Sequence, residues 1–221
     1  MRSWFRGILM TTVLLLASSL QAQAQHEVVF NELMIRRAGA NPTVDQLVEL
    51  KNTGAFSIDV GGWVFCHQLD YSSVIPDGTT IPAGGLLTCH FNQSGTNSSS
   101  AIYFPGDVLG TTSDLGLYIN GNNFSSASNM HAFVQFGGLP GTGRQSVAAS
   151  AGLWTTNAFI PNPAAGSSVE LCLGDASQVS SWVATASPTL GVSNGCGVAI
   201  EAVSWGSVKA IFGRNKGFRL N

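Results

Sequence analysis

Two Cys-His dipeptides, Cys66-His67 and Cys89-His90, together hold the ligand types of a tetrahedral zinc site. On a strand, however, adjacent side chains point to opposite faces, so each Cys and its neighbouring His do not readily converge on one ion. The dipeptides are read instead as a disulfide on one face and two exposed imidazoles on the other. Gly191-Val192-Ser193-Asn194-Gly195 has the Gly-x-Ser-x-Gly spacing of a nucleophile elbow. That chemistry needs a strand before the serine, a helix after it and a later histidine. Here Pro188 precedes it, and His26, His67, His90 and His131 all lie upstream. Gly138–Gln145, GLPGTGRQ, approaches a phosphate loop, but Arg144 replaces the lysine and Gln145 the magnesium-binding hydroxyl. Asp45, Glu49, Asp59, Asp70 and Asp77 could supply the paired carboxylates of a glycosidase. Their placement in turns and on polar strand sides predicts solvated groups. No loop of alternating acids suited to calcium is present. The residues therefore predict no catalytic centre, no cofactor and no bound metal.

The elements around these residues read as short strands. Leu47, Val48 and Leu50 form an apolar run broken by Glu49, followed by turn residues at Asn52-Thr53-Gly54. Ile58 and Val60 alternate with Asp59 before Gly61-Gly62 reverses the chain. Trp63 and Phe65 share a strand face, and Trp63 is expected to anchor the core. Leu115, Leu117 and Ile119 alternate inward, as do Ala132, Val134 and Phe136. Residues 92–100 are a polar loop, and 138–167 lack clear periodicity. Trp154 and Trp182 fall in irregular or edge-like stretches, where burial is not fixed by pattern. The expected class is all-β, with tight connections.

The first 24 residues have the pattern of an export leader. Arg2 and Arg6 precede an apolar run, Gly7–Leu16, and Ala22-Gln23-Ala24 is a small-x-small cleavage site. The run falls short of the ~20 residues a spanning helix needs, so no membrane span is expected after cleavage. Residues 25–221 then carry eight basic residues against twelve carboxylates, a net charge of −4. Charged residues make up 10% of the chain, against about a quarter in ordinary domains. An acidic body lacks the electrostatic footprint of a nucleic-acid binder. Four cysteines in an exported chain point to disulfides. Three pairings are possible; Cys66–Cys89 and Cys172–Cys196 are favoured because each closes a short local excursion.

The order of these elements resembles the lamin tail domain, the immunoglobulin-like module of nuclear lamins that also occurs in secreted bacterial proteins. The residues that carry the likeness are Phe30-Asn31-Glu32, Leu47-Val48-Glu49-Leu50-Lys51-Asn52, Asp59-Val60-x-Gly62-Trp63, Pro76-Asp77-Gly78-Thr79 and Ile81-Pro82-Ala83-Gly84-Gly85. Ser168-Val169-Glu170-Leu171 and the ending Trp182…Ser187-Pro188-Thr189-Leu190-Gly191-x-x-Asn194 add to it. The resemblance implies one immunoglobulin-like β-sandwich over residues 25–195. It also implies a scaffold role rather than an activity. The expected function is a non-catalytic secreted module, extracellular or periplasmic, that binds an extracellular protein or envelope polymer. The alternatives are a secreted hydrolase acting on esters or glycans, or an envelope-attached adhesion protein sorted by its C-terminal tail. The partner and the oligomeric state are not readable from the sequence.

Residues 196–221 lie beyond that resemblance. Val198–Val203 reads as a strand, and Ser204 as the N-cap of a short helix. Trp205, Val208 and Phe212 would share one stripe, Gly213 would end the helix, and Lys209 and Arg214 suit its C-terminal dipole. Such a tail either caps the sandwich or docks, through Trp205, Lys209, Phe212 and Arg214, onto an acidic envelope component.

Overall fold

Period-2 alternation of apolar side chains has one stable outcome at this length: sheets that bury one face against each other. The computed structural model describes residues 26–196 apart from 40, 42, 69, 70, 122, 140–142 and 173. The expected leader, strand 198–203 and tail residues Trp205, Lys209, Phe212 and Arg214 lie outside the described residues. The strands are β1 (Val28–Met34), β2 (Gln46–Asn52), β3 (Ile58–Asp59), β4 (Val64–His67), β5 (Tyr71–Val74) and β6 (Thr80–Ile81). They continue with β7 (Leu86–Phe91), β8 (Ala101–Phe104), β9 (Ser113–Tyr118), β10 (Met130–Phe136), β11 (Ser168–Leu171) and β12 (Trp182–Thr185). One short helix, α1 (Gln145–Ser150), interrupts the stretch that lacked periodicity. No helix among the described residues is long and apolar enough to cross a membrane.

A six-stranded sheet in the order β12-β11-β1-β2-β7-β8 faces a four-stranded sheet in the order β10-β9-β4-β5, and β3-β6 form a small ribbon. All pairs are antiparallel except β7 with β8. The fold is an all-β sandwich. Its centre is aromatic: Phe65 of β4 meets Phe30 of β1, Phe91 of β7 and Phe104 of β8 at ring-centroid distances of 6.3, 5.4 and 5.7 Å. Leu87, Cys89 and Phe91 are buried in alternation along β7, as a one-face strand requires.

Turn chemistry sets the connections. An added Cβ at Gly61 would lie 2.7 Å from the backbone nitrogen of Gly78, so only glycine lets the Gly61-Gly62 turn pack on the Pro76–Thr79 turn. Asn52 is fully buried; its amide donates to the carbonyls of Phe56 (2.7 Å) and Ile81 (2.8 Å), and its oxygen accepts from Gly54 N–H (2.8 Å). That side chain thus ties the end of β2 to β6.

Two expectations change, and an open one is decided. Trp63 is half-buried at the margin of the core, its ring 4.4 Å from that of His131, while Phe65 takes the central position. It follows the Gly61-Gly62 turn directly and precedes the first paired residue of β4, Val64. Ile119 is exposed because β9 ends at Tyr118. Trp154 and Trp182 are both buried, and each indole N–H is satisfied, by Ala158 O (2.9 Å) and Ala176 O (3.2 Å).

Candidate functional site

The most concentrated chemistry lies on the outer face of the six-stranded sheet. Antiparallel registers place Glu32 of β1 opposite both Glu170 of β11 and Glu49 of β2. A shift in the β1–β2 register between Phe30 and Glu32 turns Asn31 and Glu32 out of the aromatic core that holds Phe30. The result is a row of three carboxylates across three strands, with exposures of 3, 0 and 0% for Glu170, Glu32 and Glu49. Like charges side by side repel, and burial removes the water that would screen them. The row persists because residues 187–196 fold over it as a strap of donors.

Thr189 N–H donates to both oxygens of Glu32 (2.9 and 3.2 Å), and Ser168 Oγ donates to its Oε1 (2.5 Å). Gly191 N–H donates to Glu49 Oε2 (2.5 Å), and Asn31 Nδ2 to Glu49 Oε1 (2.6 Å). Thr189 Oγ1 lies 2.9 Å from Glu32 Oε2 and 3.1 Å from Glu170 Oε1. One hydroxyl proton cannot donate to both carboxylates at once, so the two share a single donor. Burial, then the charge of Glu32, push the Glu170 carboxyl above its ordinary range. Glu49 is pushed up by burial as well, against the hydrogen bonds from Gly191 and Asn31. Asn194 closes the strap, donating to the carbonyls of Asn31 (3.0 Å) and Leu171 (2.9 Å) and accepting from Asn31 Nδ2 (2.7 Å). The Cys172–Cys196 disulfide fastens its end, as expected.

The sequence-selected residues divide sharply. Glu49, expected to be solvated, is buried in this row. Among the described residues no strand leads directly into Ser193, which is exposed on the strap, so the strand entry of a nucleophile elbow is missing. At Arg144 the backbone N–H at the start of α1 donates to Asp114 Oδ2, so a carboxylate of the protein itself fills the place of a phosphate. Asp45 accepts from His90 Nδ1 (2.7 Å) and pairs with Arg37 (3.7 Å). Asp59 binds its own turn through Gly61 N–H (2.9 Å), Asp77 is exposed, and Asp70 lies outside the described residues.

Cys66 and Cys89 are both buried thiols, not a disulfide. Strand phase explains the correction. Phe65 faces the opposing sheet, so Cys66 points away from it, whereas Cys89 shares the inward face with Phe91. No movement short of a register slip brings the two sulfurs together. Burial, then the charge of Glu49, push the Cys89 thiol well above its ordinary pKa. Nor are both imidazoles exposed: His67 is buried, while His90 stacks on Tyr103 at 4.4 Å. Among the described residues, the one group of three metal-ligand side chains within 4.8 Å of each other is Glu170, Cys172 and Cys196, whose sulfurs are already joined.

A second cluster went unnoticed in the sequence. His67 Nε2 meets Asp107 Oδ1 at 2.7 Å, and Ser73 Oγ donates to Asp107 Oδ2. Burial pushes the Asp107 carboxyl up, but the hydrogen bonds from His67 and Ser73 outweigh it and hold the group below its usual range. The order is serine–aspartate–histidine: the hydroxyl proton goes to the carboxylate rather than to an imidazole base, so the serine is not activated.

Beside the strap runs a trough. One part, about 390 Å³, is lined by Val29, Asn31, Lys51, Thr53, Leu171 and Cys172. It meets, at His26, Val29 and Gly174, a cleft of about 190 Å³ that includes Phe30, His131, Phe133 and Leu153. Burial, then the neighbouring His26, lower the His131 pKa to about 4, so its ring is neutral at pH 7; Nε2 accepts from Val28 N–H at 3.3 Å.

No protein-family model matches the chain, and no curated protein matches it. Of the residues that carried the lamin-tail likeness, Asn31, Glu32, Glu49, Glu170, Thr189, Gly191 and Asn194 meet in the strap and row, whereas Asp59, Trp63 and the Pro76–Thr79 turn lie elsewhere.

Proposed function

We propose that this chain is a non-catalytic, exported module of the immunoglobulin-like lamin-tail type, extracellular or periplasmic, that binds a protein or envelope polymer. One observation carries the reading: side chains of catalytic type are consumed by architecture. Glu32 and Glu49 accept from the strap, Ser73 and His67 both bind Asp107, and Asp114 closes the start of α1. A general acid or base needs an open path to a substrate, and three carboxylates at 3% exposure or less have none. The disulfide supports the oxidising compartment that an export leader implies.

The purified protein is expected to turn over no ester, glycan or nucleic-acid substrate above a blank, and to show no salt-sensitive retention on DNA. Turnover abolished by Ser193→Ala, or by Glu49→Gln without loss of folding, overturns the reading in favour of a hydrolase. Crosslinking in the native cells, with recovery of one envelope polymer or exported protein, identifies the partner.

A further inference from the structure

We infer that Glu170, Cys172 and Cys196 form a zinc site once their disulfide is reduced. The strap is then fastened by a sulfur–sulfur bond in one state and by a thiophilic divalent cation in the other. The first observation is convergence. Glu170 lies on β11 and Cys172 directly beyond its end, two residues on, so their side chains share a face. Both positions are held: Glu170 pairs in register with Glu32 and Val183, and Cys172 N–H donates to Ser181 O at 2.7 Å. Cys196 arrives from the strap, and a carboxylate oxygen and the two sulfurs all lie within 4.8 Å of one another.

The second observation is what surrounds the sulfurs. Glu170 Oε2 lies 3.4 Å from Cys196 Sγ, Leu171 O 3.7 Å from the same sulfur, and Glu170 O 3.5 Å from Cys172 Sγ. A disulfide has no proton to donate, so three electron-rich oxygens face two sulfurs that cannot hydrogen-bond to them. A cation set between oxygen and sulfur removes that mismatch. The spacing suits zinc: bonds of about 2.3 Å to sulfur and 2.0–2.2 Å to oxygen, at the tetrahedral angle, give an oxygen–sulfur edge of roughly 3.5 Å. The Glu170–Cys196 contact already lies at that edge. Thr189 Oγ1 engages the other carboxylate oxygen at 3.1 Å, which leaves Oε2 turned to the sulfur, as an outer-shell partner should. Glu32 stands opposite and adds negative potential, while Thr189 and Ser168 keep its own oxygens occupied. Two thiolates with one carboxylate select zinc over calcium or magnesium, which take all-oxygen shells.

A dithiol reductant opens the bond: it becomes its cyclic disulfide, and Cys172 and Cys196 each gain one electron and one proton. Zinc then displaces both thiol protons to solvent, binds the two thiolates and Glu170 Oε2, and takes water as its fourth ligand.

The test is zinc uptake by the full-length protein, read by competition with a chromogenic chelator. The protein is used oxidised and after reduction by a trialkylphosphine, which becomes its oxide and leaves no added thiol to compete for the metal. The oxidised protein should take up no zinc and the reduced protein one equivalent. Cys172→Ser should abolish uptake, and Glu170→Gln should weaken it by about tenfold or more. If Glu170→Gln fails to fold, Glu170→Asp, which withdraws the oxygen by one methylene, carries the same expectation. In the reduced wild type, one equivalent of zinc should also shield Cys172 and Cys196 from alkylation and slow the amide exchange that reduction speeds at Thr189 and Gly191. No uptake by the reduced wild type overturns the inference, as does alkylation of either cysteine at an unchanged rate. Equal uptake by the oxidised protein or by Cys172→Ser also overturns it, because the ion then sits elsewhere. So does wild-type affinity in a folded Glu170 variant, because the thiols then act without the carboxylate.

Discussion

The two sheets hide their outer faces by opposite means. Over the four-stranded sheet the cover is mainly aromatic, with hydrogen-bonded Asp114 and Gln135 at one end: Phe124 packs edge-on against Tyr118 at 4.9 Å, and Trp154 against Phe133 at 5.8 Å. Gly116 makes room for this layer, since a Cβ there would lie 2.7 Å from the Tyr118 ring. Over the six-stranded sheet the cover is a polar strap whose hydrogen bonds reach all three carboxylates. Dispersion and area burial tolerate small displacements and ignore pH. A buried polar network does neither, because each donor lost leaves a charge or dipole uncompensated. The first cover should therefore be robust and the second conditional.

The largest effect is expected from Trp154→Ala, which removes the buried indole of the aromatic cover and should cost about 3–5 kcal/mol in urea unfolding, with little dependence on pH or salt. A cost that varied strongly between pH 5 and 8 would contradict the contrast. Reduction of Cys172–Cys196, or its replacement by two serines, should cost about 3 kcal/mol for a closed loop of 24 residues. Thiol labelling of the reduced native protein should modify these two cysteines and spare Cys66 and Cys89; rapid labelling of all four would place the buried pair at the surface. Glu32→Gln keeps the shape of the row but swaps an acceptor for a donor facing Thr189 and Ser168, and about 1–3 kcal/mol should be lost. A neutral or stabilising result would mean that relief of carboxylate repulsion outweighs the lost bonds.

The pH profile tests the seam between the two covers. The His131 pKa falls from 6.5 to about 4 on folding. Within that window the unfolded chain holds a proton that the folded one refuses, so stability drops as pH falls, by about 2 kcal/mol between pH 7 and 5. Glu49 and Glu170, with raised pKa values, act in the opposite sense. The folded state takes up their protons first, so their contribution grows as pH falls toward the ordinary carboxylate range. His131→Gln should remove the loss and expose the gain; an unchanged acid limb in this variant would exclude His131 as its source. The smallest effect is expected at Trp63→Ala, about 1–2 kcal/mol for a half-buried ring, read as a melting shift.

Local pattern carried the fold a long way. The alternations of Leu115 and Leu117 and of Ala132, Val134 and Phe136, and the turns at Asn52 and Gly61-Gly62, were legible because each depends on residues within a few positions. The glutamate row was not: Glu49 draws a donor from Gly191, 142 residues on, and Glu32 from Thr189, 157 residues on. A lone glutamate between apolar neighbours reads as a solvent-facing position, and no local signal shows that a distant strap will cover it. The disulfides mark a different limit. Proximity in sequence favoured Cys66–Cys89, yet the period of two that placed Phe65 inward already turned Cys66 outward. Phase outranks loop length.

Under the export proposed above, those two buried thiols set a kinetic problem for the chain. Emerging from its N-terminus, it offers Cys66 and Cys89 to an oxidant before Cys172 and Cys196 have arrived. A premature bond between the first pair would trap β4 one residue out of step, with Phe65 expelled from the aromatic centre. Oxidative folding must then either bury both thiols ahead of oxidation or pass through a disulfide isomerase, and the yield of native protein should depend on how oxidising the compartment is.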